Sequence, residues 1–527
     1  MADYDRPNLT TIPSEIVIEI LQHVDVLTVL QIRQTCRHLY ELSTARPIWV
    51  NLLQECEHLF PGNVTLEKPL DMYSSEELER VVLVVESAEL GWRTSDGCPS
   101  RQRSIAVDAW LGHSSDYYKH AYLVPGGRWL VVFQAEGEIS YYDLDSADHR
   151  KKTILVPDYI KPAPHNMTHF DVDVSYGSLT CESFKLAQYV CEDPDKPDGE
   201  IYRAIRIWDI VFVLEGQDVT GLRATCLKTI LVDPEALDWS ISLSLRNQHL
   251  AFSISPPDEG WFVPFVQYIC VVEWPLVGDG SLDYPRRIIK TELRAGEVHI
   301  LPNNRVSVYL PPSLHVYNYS ALAYTDHLPE ARLGHFRLTP SSECSFISCS
   351  LDTTISVPFE VQGSVQFIIV TENSAQSASI PDGFCTPRSL SPGELSTEML
   401  MPLPRHDYCE PWTARYSFGQ HRGILYNFNS DDNCIDFLLF DYDAEQEYEP
   451  GYVPVVKSVP VRKSFVGSPR QGISNRTGIP PPPQRRTSKL LFRNLLLDEG
   501  SGRVVVPFKE RFGILDFALV HKNIRTS

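Results

Sequence analysis

The 527-residue chain is expected to be an α+β multidomain protein, helical at the start and all-β beyond. Three observations predict this. Apolar residues recur at helical spacing as far as Arg93. After about residue 100, short apolar runs bounded by Gly, Pro, Asn and Asp take over. Among those runs, one unit recurs roughly seven times.

The first helix is read from Pro13 onward. Ile16, Val17, Ile20, Leu21 and Val24 follow the 3-and-4 spacing of one face, and Ser14, Glu15, Glu19, Gln22 and His23 fill the other. Ile18 breaks the pattern as an apolar residue on the polar side. Pro13 suits a first turn, where its missing N–H costs nothing. Thr28 and Gln31 stand at capping-box spacing and open a second helix with Val29, Ile32, Cys36 and Leu39 on one stripe. A third helix carries Ile48, Trp49, Leu52, Leu53, Cys56, Leu59 and Phe60 and ends at Pro61-Gly62. Three short helices can hardly close a core alone, and no metal or disulfide pattern supports them. A partner, either another chain or the rest of this one, is expected to complete it.

Several of these residues stand in a familiar order. Ile12-Pro13, Glu15-Ile16, Ile20-Leu21, Val24, Leu30-x-Ile32-Arg33-x-x-Cys36-Arg37-x-Leu39-Tyr40 and Pro47-x-Trp49 resemble the F-box. That motif opens on Leu-Pro, continues through a Val-Cys-Arg helix and closes on Trp; here Ile12 replaces the Leu and Thr35 the Val. The resemblance implies docking to a Skp-type adaptor that bridges to a cullin–RING ubiquitin ligase. It implies adaptor contacts at Ile12, Pro13, Ile16, Ile20, Leu21, Leu27, Leu30, Ile32 and Trp49, some of which must instead pack the helices together. The rival reading is a helical cap on the following domain.

Tyr73 to Arg93 reads as a connecting helix, capped by Ser74-x-x-Glu77, with Leu78, Val81, Val82, Val85 and Leu90 as its buried stripe. The expected divisions are a tail at 1–9, the F-box at 10–60, a helical linker at 61–95 and the β domain at 96–527.

The β unit is a turn, an apolar strand, a second turn, then a strand ending in an aromatic beside an acid or amide. Copies lie at 123–145, 203–212, 246–274, 300–319, 422–442 and 498–517, with a weaker one at 367–373. Repeats of this kind predict a β-propeller of seven blades (six to eight), in which ring closure protects the sheet edges. A two-sheet all-β arrangement is the rival. "IRIWD" at 205–209 resembles a WD-repeat terminus, and "PGGRWL…YDLD" resembles the first blade of fungal F-box proteins with degenerate WD-like propellers. Two stretches read as loops: 373–396, and 462–489 with seven basic residues, no acids and four successive prolines. Residues 431–449 just upstream hold eight acids.

Charge and chemistry narrow the function. Against 68 acidic residues stand 47 basic ones, a net −21 that argues against general affinity for nucleic acid or anionic membranes. The opening "MADYDRPNLT" has no basic or apolar leader segment, and the apolar run Val81 to Val85 is too short to span a bilayer. A cytoplasmic or nuclear protein is expected. The twelve cysteines form no CxxC pair, and reduced thiols are expected. "GHSSD" at 112–116 lacks the second Gly of a nucleophile elbow; "HNMTH" at 165–169 lacks the Glu of a zincin helix. "DVDVSYGS" at 171–178 lacks the Gly and closing Glu of an EF-hand loop.

No cofactor, metal or catalytic residue is therefore expected. The resemblance implies the substrate-recognition subunit of an SCF-type ubiquitin ligase, with the propeller holding an unknown protein target. The alternative is a propeller scaffold outside ubiquitylation.

Overall fold

The computed structural model describes residues 12–59, 62, 64–93, 99–107, 121–134, 137–157, 169–174, 179–191, 203–232, 242–254, 267–291, 297–310, 313–326, 342–345, 354–361, 364–370, 374–381, 396–402, 415–419, 421–429, 434–441, 463–464, 495–508 and 511–521. Four short helices come first: α1 (Ser14–Gln22), α2 (Val26–Arg33), α3 (Arg37–Ser43) and α4 (Arg46–Leu59). The expected second helix is thus two. Cys36 lies in extended backbone and breaks it, so α2 and α3 can turn against each other. The α2 cap is Asp25, not Thr28: its carboxylate accepts the Thr28 N–H at 2.9 Å and the Thr28 hydroxyl at 2.8 Å.

A longer helix, α5 (Ser75–Arg93), follows. Its capping box forms as read, with Glu77 N–H donating to Ser74 Oγ at 3.2 Å and Ser74 N–H to Glu77 Oε2 at 2.8 Å. Its buried face differs from the expected stripe. Leu90 is exposed, while Val84, Ala88 and Trp92 are buried. The helix therefore has two apolar stripes, not one.

The described residues beyond α5 form seven antiparallel sheets. Sheets 1 to 6 lie within 121–156, 170–231, 243–291, 297–345, 354–402 and 415–464, and each is built from strands close in sequence. Sheet 7 is different. Leu496–Asp498, Arg503–Phe508 and Arg511–Asp516 are joined by Arg101–Ala106 from the start of the β region. Neighbouring sheets pack face to face. Leu130 and Val132 of sheet 1 lie with Val505 and Ile514 of sheet 7, and Phe133 stacks on Phe170 of sheet 2. Ile205 and Phe252 join sheets 2 and 3, Val271 and Val308 join sheets 3 and 4, and Val316 and Phe367 join sheets 4 and 5. This is a β-propeller, with its first strand closing its last sheet.

The seven sequence units fall one to a sheet, mostly on second and third strands. Three expectations need correction. Trp208-Asp209 is not a strand end, because Ile210 and Phe212 continue the buried alternation and the strand runs Arg203–Glu215. The stretch 373–396 is not all loop, since Ser374–Pro381 pairs with both its neighbours and Ser396 begins the next strand. In 462–489, Lys463–Ser464 pairs with Cys434–Ile435, and the remainder lies outside the described residues. The tail 1–9 and "GHSSD" also lie outside them.

The closing sheet carries a buried charge cluster. Asp516 accepts from Arg503 Nε at 2.6 Å, Arg101 Nε at 2.8 Å and Arg103 Nη2 at 2.8 Å. Burial alone would raise its pKa, but Arg503 and Arg103 outweigh that and hold it below the ordinary carboxylate value. Its contribution is thus complete at neutral pH and is lost as pH falls through the lowered folded pKa. Asp516→Asn should cost about 3 kcal/mol or more of stability at pH 7 by leaving cations unpaired. Urea unfolding of both proteins at pH 7 measures it.

Candidate functional site

The site begins with α1. Residues four apart share a helical face, so Val17 and Leu21 point together into the helical core while Ile16 and Ile20 point together to solvent. The broad apolar face read from the sequence is therefore divided. Ile16, Ile20 and Leu27 are 52%, 46% and 58% exposed, large aliphatic side chains left in solvent. Pro13 is exposed, and Ile12, Leu30 and Ile32 are half-buried.

Of the expected contact set, Leu21 and Trp49 are among those that pack the helices together. At 1% and 0% exposure they are already sealed inside the chain. Trp49 donates its indole N–H to the Ser43 carbonyl at 3.0 Å and lies 5.5 Å beneath the Arg33 guanidinium. Arg33 in turn pairs bidentately with Glu79 of α5, at 2.5 and 3.0 Å. Ile18, assigned to the polar side, packs partly against the core. The sequence gives no register for these contacts, because the partner surface lies on α5, some forty residues on.

That core is closed largely from within the chain. Leu78, Val82 and Val85 of α5 join Val17, Leu21, Trp49, Leu52 and Leu53, with Val64 and Leu66 from the segment between α4 and α5. Of the two partners expected, the rest of this chain completes this inner face. Ile16, Ile20 and Leu27 take no part in it.

Polar ties hold the helices to the β domain. Leu66 exchanges backbone hydrogen bonds with Leu179 and Cys181 of sheet 2, at 2.9 and 2.7 Å. Glu67 accepts from Trp129 Nε1 at 2.9 Å and pairs with Arg128 at 2.8 Å, while Lys68 bridges Glu77 and the Gln217 carbonyl, each at 2.7 Å. At the far end of α5, Trp92 stacks on Phe517 with centroids 4.4 Å apart and donates to the Glu499 carbonyl at 3.2 Å. Glu89 holds Arg422 through two bonds of 2.8 and 2.7 Å. Gly91 permits this seat: a Cβ there would lie 1.9 Å from the Phe517 carbonyl oxygen.

The other motifs resolve into structure. Asp171 and Asp173 accept backbone N–H groups of Leu245 and Asn247, at 2.7 and 2.6 Å, tying sheet 2 to sheet 3. His169 precedes the strand Phe170–Asp173 and is not on a helix, and the rest of "HNMTH" lies outside the described residues. Among the described residues no group of three His, Cys, Asp or Glu could hold a metal. Cys36, Cys56, Cys181, Cys191, Cys226 and Cys270 are free thiols.

The family model described as the F-box domain matches residues 9–51, which take in the exposed row. The chain carries an F-box ahead of a β-propeller. No curated protein matches the sequence. Among solved structures, the chain is similar to the WD40 domain of SCAP from fission yeast, at 9% identity and TM-score 0.34, covering 76% of this chain and 84% of that one. The Cps50 (Swd1) β-propeller domain of Myceliophteria thermophila is 9% identical at TM-score 0.33, covering 64% and 86% respectively. At such scores the propeller assignment rests on the sheet topology alone.

A buried carboxyl sits at the junction between F-box and propeller. Glu499 is fully enclosed, and burial raises its pKa to about 7 despite Arg422 and the N–H groups of His421 and Arg422 nearby. A raised carboxyl pKa favours folding below the unfolded value, and that advantage is lost as pH climbs through the folded one. The stability of wild type relative to Glu499→Gln should therefore fall between about pH 4.5 and pH 7 and then level off. Paired denaturant titrations across pH 4 to 8 read this difference; a flat difference would contradict it.

Proposed function

We propose that this chain is the substrate-recognition subunit of an SCF-type ubiquitin ligase, each of its seven sheets serving as one propeller blade. The observation that carries the reading is that Ile16, Ile20 and Leu27 stay exposed on an F-box whose internal core is already closed without them. Large aliphatic side chains left in water beside a finished core suit a surface for another protein. The F-box match supports a Skp-type adaptor as the class of partner, and through it a cullin–RING ligase. The contacts proposed are Ile12, Pro13, Ile16, Ile20, Leu27, Leu30 and Ile32.

The subunit transfers nothing itself. It holds a target lysine near a charged ubiquitin-conjugating enzyme, turning chance encounter into a nearly intramolecular reaction. The firm seating of α5 suits that task, because effective concentration depends on a fixed span between the two binding surfaces. No helix among the described residues is long and apolar enough to cross a membrane. The second reading, a scaffold outside ubiquitylation, shares the propeller and differs only in having no use for the exposed row.

Ile20→Asp is the deciding variant. It places a charge where an apolar contact is proposed, at a side chain the F-box core does not need. Capture of a Skp-type adaptor in pull-down should fall at least about tenfold, from the loss of roughly 1.5–3 kcal/mol of burial. The melting curve should stay within a degree or two of wild type. Undiminished capture would remove the ligase reading and leave the scaffold.

A further inference from the structure

The strand that closes the ring brings arginines to a seam between sheets 7 and 1. Arg101 and Arg103 stand two apart on Arg101–Ala106 and share one face of it. Across from them lies the loop 144–152, which joins the last two strands of sheet 1. Arg103 Nη1 donates to the Leu144 carbonyl there, and Arg503 of sheet 7 donates to Asp145 at 3.0 Å. The loop adds His149, Arg150 and Lys151, while its Lys152 is paired with Glu138 at 2.6 Å.

Charge at this seam does not balance. Arg101, Arg103 and Arg503 share Asp516 and Asp145. With Arg150, Lys151 and the exposed Asp148 counted in, the described residues set five cations against three carboxylates. Two histidines register the surplus. Burial, then Arg103, Arg150 and Arg101, lowers the His149 pKa; burial, then Arg101, lowers that of His521 despite Asp516. Both rings are neutral at pH 7.

Hydrogen-bond donors are left over as well. Arg101 spends only its Nε on Asp516, at 2.8 Å, and neither terminal nitrogen has a partner among the described residues. Arg103 Nε and His149 Nε2 are buried and likewise unpartnered among them. Buried polar atoms without a hydrogen bond cost free energy that a fitting ligand recovers. The Arg101 side chain is 23% exposed, which gives such a ligand a way in.

We propose that this seam binds a phosphate group, as the free ion or as a small monoester. Two surplus charges match a dianion, and unspent guanidinium nitrogens suit its oxygens. The cations are recessed and the chain carries −21, which disfavours an extended polyanion such as nucleic acid or an anionic membrane. Held between Arg101 and the loop 144–152, the phosphate fastens the closing strand to sheet 1. The inference is independent of the ligase reading.

Calorimetric titration of the full-length protein at pH 7 tests it, in about 0.15 M salt, where charges beyond about 8 Å are screened. Inorganic phosphate should saturate at a single site per chain, and acetate at matched ionic strength should not. Glycerol phosphate in a parallel titration separates the two sources: it saturates too where the seam admits an ester, and fails where only the free ion fits. Arg101→Gln should weaken phosphate about tenfold, the size of one charge-assisted contact. Asp516 is still held by Arg103 and Arg503 in that variant, and its melting curve checks the fold. Arg150→Gln, at an exposed residue, should weaken phosphate without moving the melting curve. No saturation by inorganic phosphate, equal binding of acetate, or an affinity untouched by both substitutions overturns the proposal.

Discussion

Leu78, Val82 and Val85 of α5 lie in the core of the F-box, while Val84, Ala88 and Trp92 of the same helix lie against the last strands of the propeller. The two sets interleave on one cylinder at the three- and four-residue steps of an α-helix. Every other relation between the halves follows from that sharing. A helix whose two ends belong to different cores cannot rotate in one without disturbing the other. The F-box surface and the propeller face are therefore held at one angle and one separation.

The polar contacts along the junction reinforce the same constraint. Arg33–Glu79 fastens the F-box helices to α5, and Arg422–Glu89 fastens α5 to the propeller. Buried pairs of this kind add little net stability over apolar packing, but they penalise misplaced alternatives heavily. Here they fix orientation more than they add strength. The same sharing changes what a truncation means: removing the four F-box helices would strip Leu78, Val82 and Val85 of their cover. Loss of stability in such a fragment does not distinguish a cap from an adaptor-binding module.

Much of this architecture was legible in the sequence because it is written in local signals. The Ser74–Glu77 capping box, the α4 stripe from Ile48 to Cys56 (Leu59, read into the same stripe, is exposed) and the seven turn-and-strand units all depend on residues close together in the chain. The cap of α2 is a local misreading, since Asp25 stands three residues before Thr28 and its carboxylate takes the Thr28 N–H. The others arise where distant residues decide. Leu21 and Ile20 are equally apolar neighbours, yet the core that α1 shares with α3 and α4 covers one and not the other. Leu90 keeps helical spacing but faces water, because the second stripe of α5 answers to Phe517 and Leu495, some four hundred residues away.

The order in which the chain is made gives the closing sheet a further meaning. The F-box helices leave the ribosome well before the residues that seat α5 (Arg422, Glu499 and Phe517). The strand Arg101–Ala106 must likewise await Arg511–Asp516. Until those residues emerge, the F-box stands on an unfinished base and Arg101–Ala106 has nothing to join. A chain cut short before Arg422 would keep its exposed aliphatic side chains but lose the foundation that aims them.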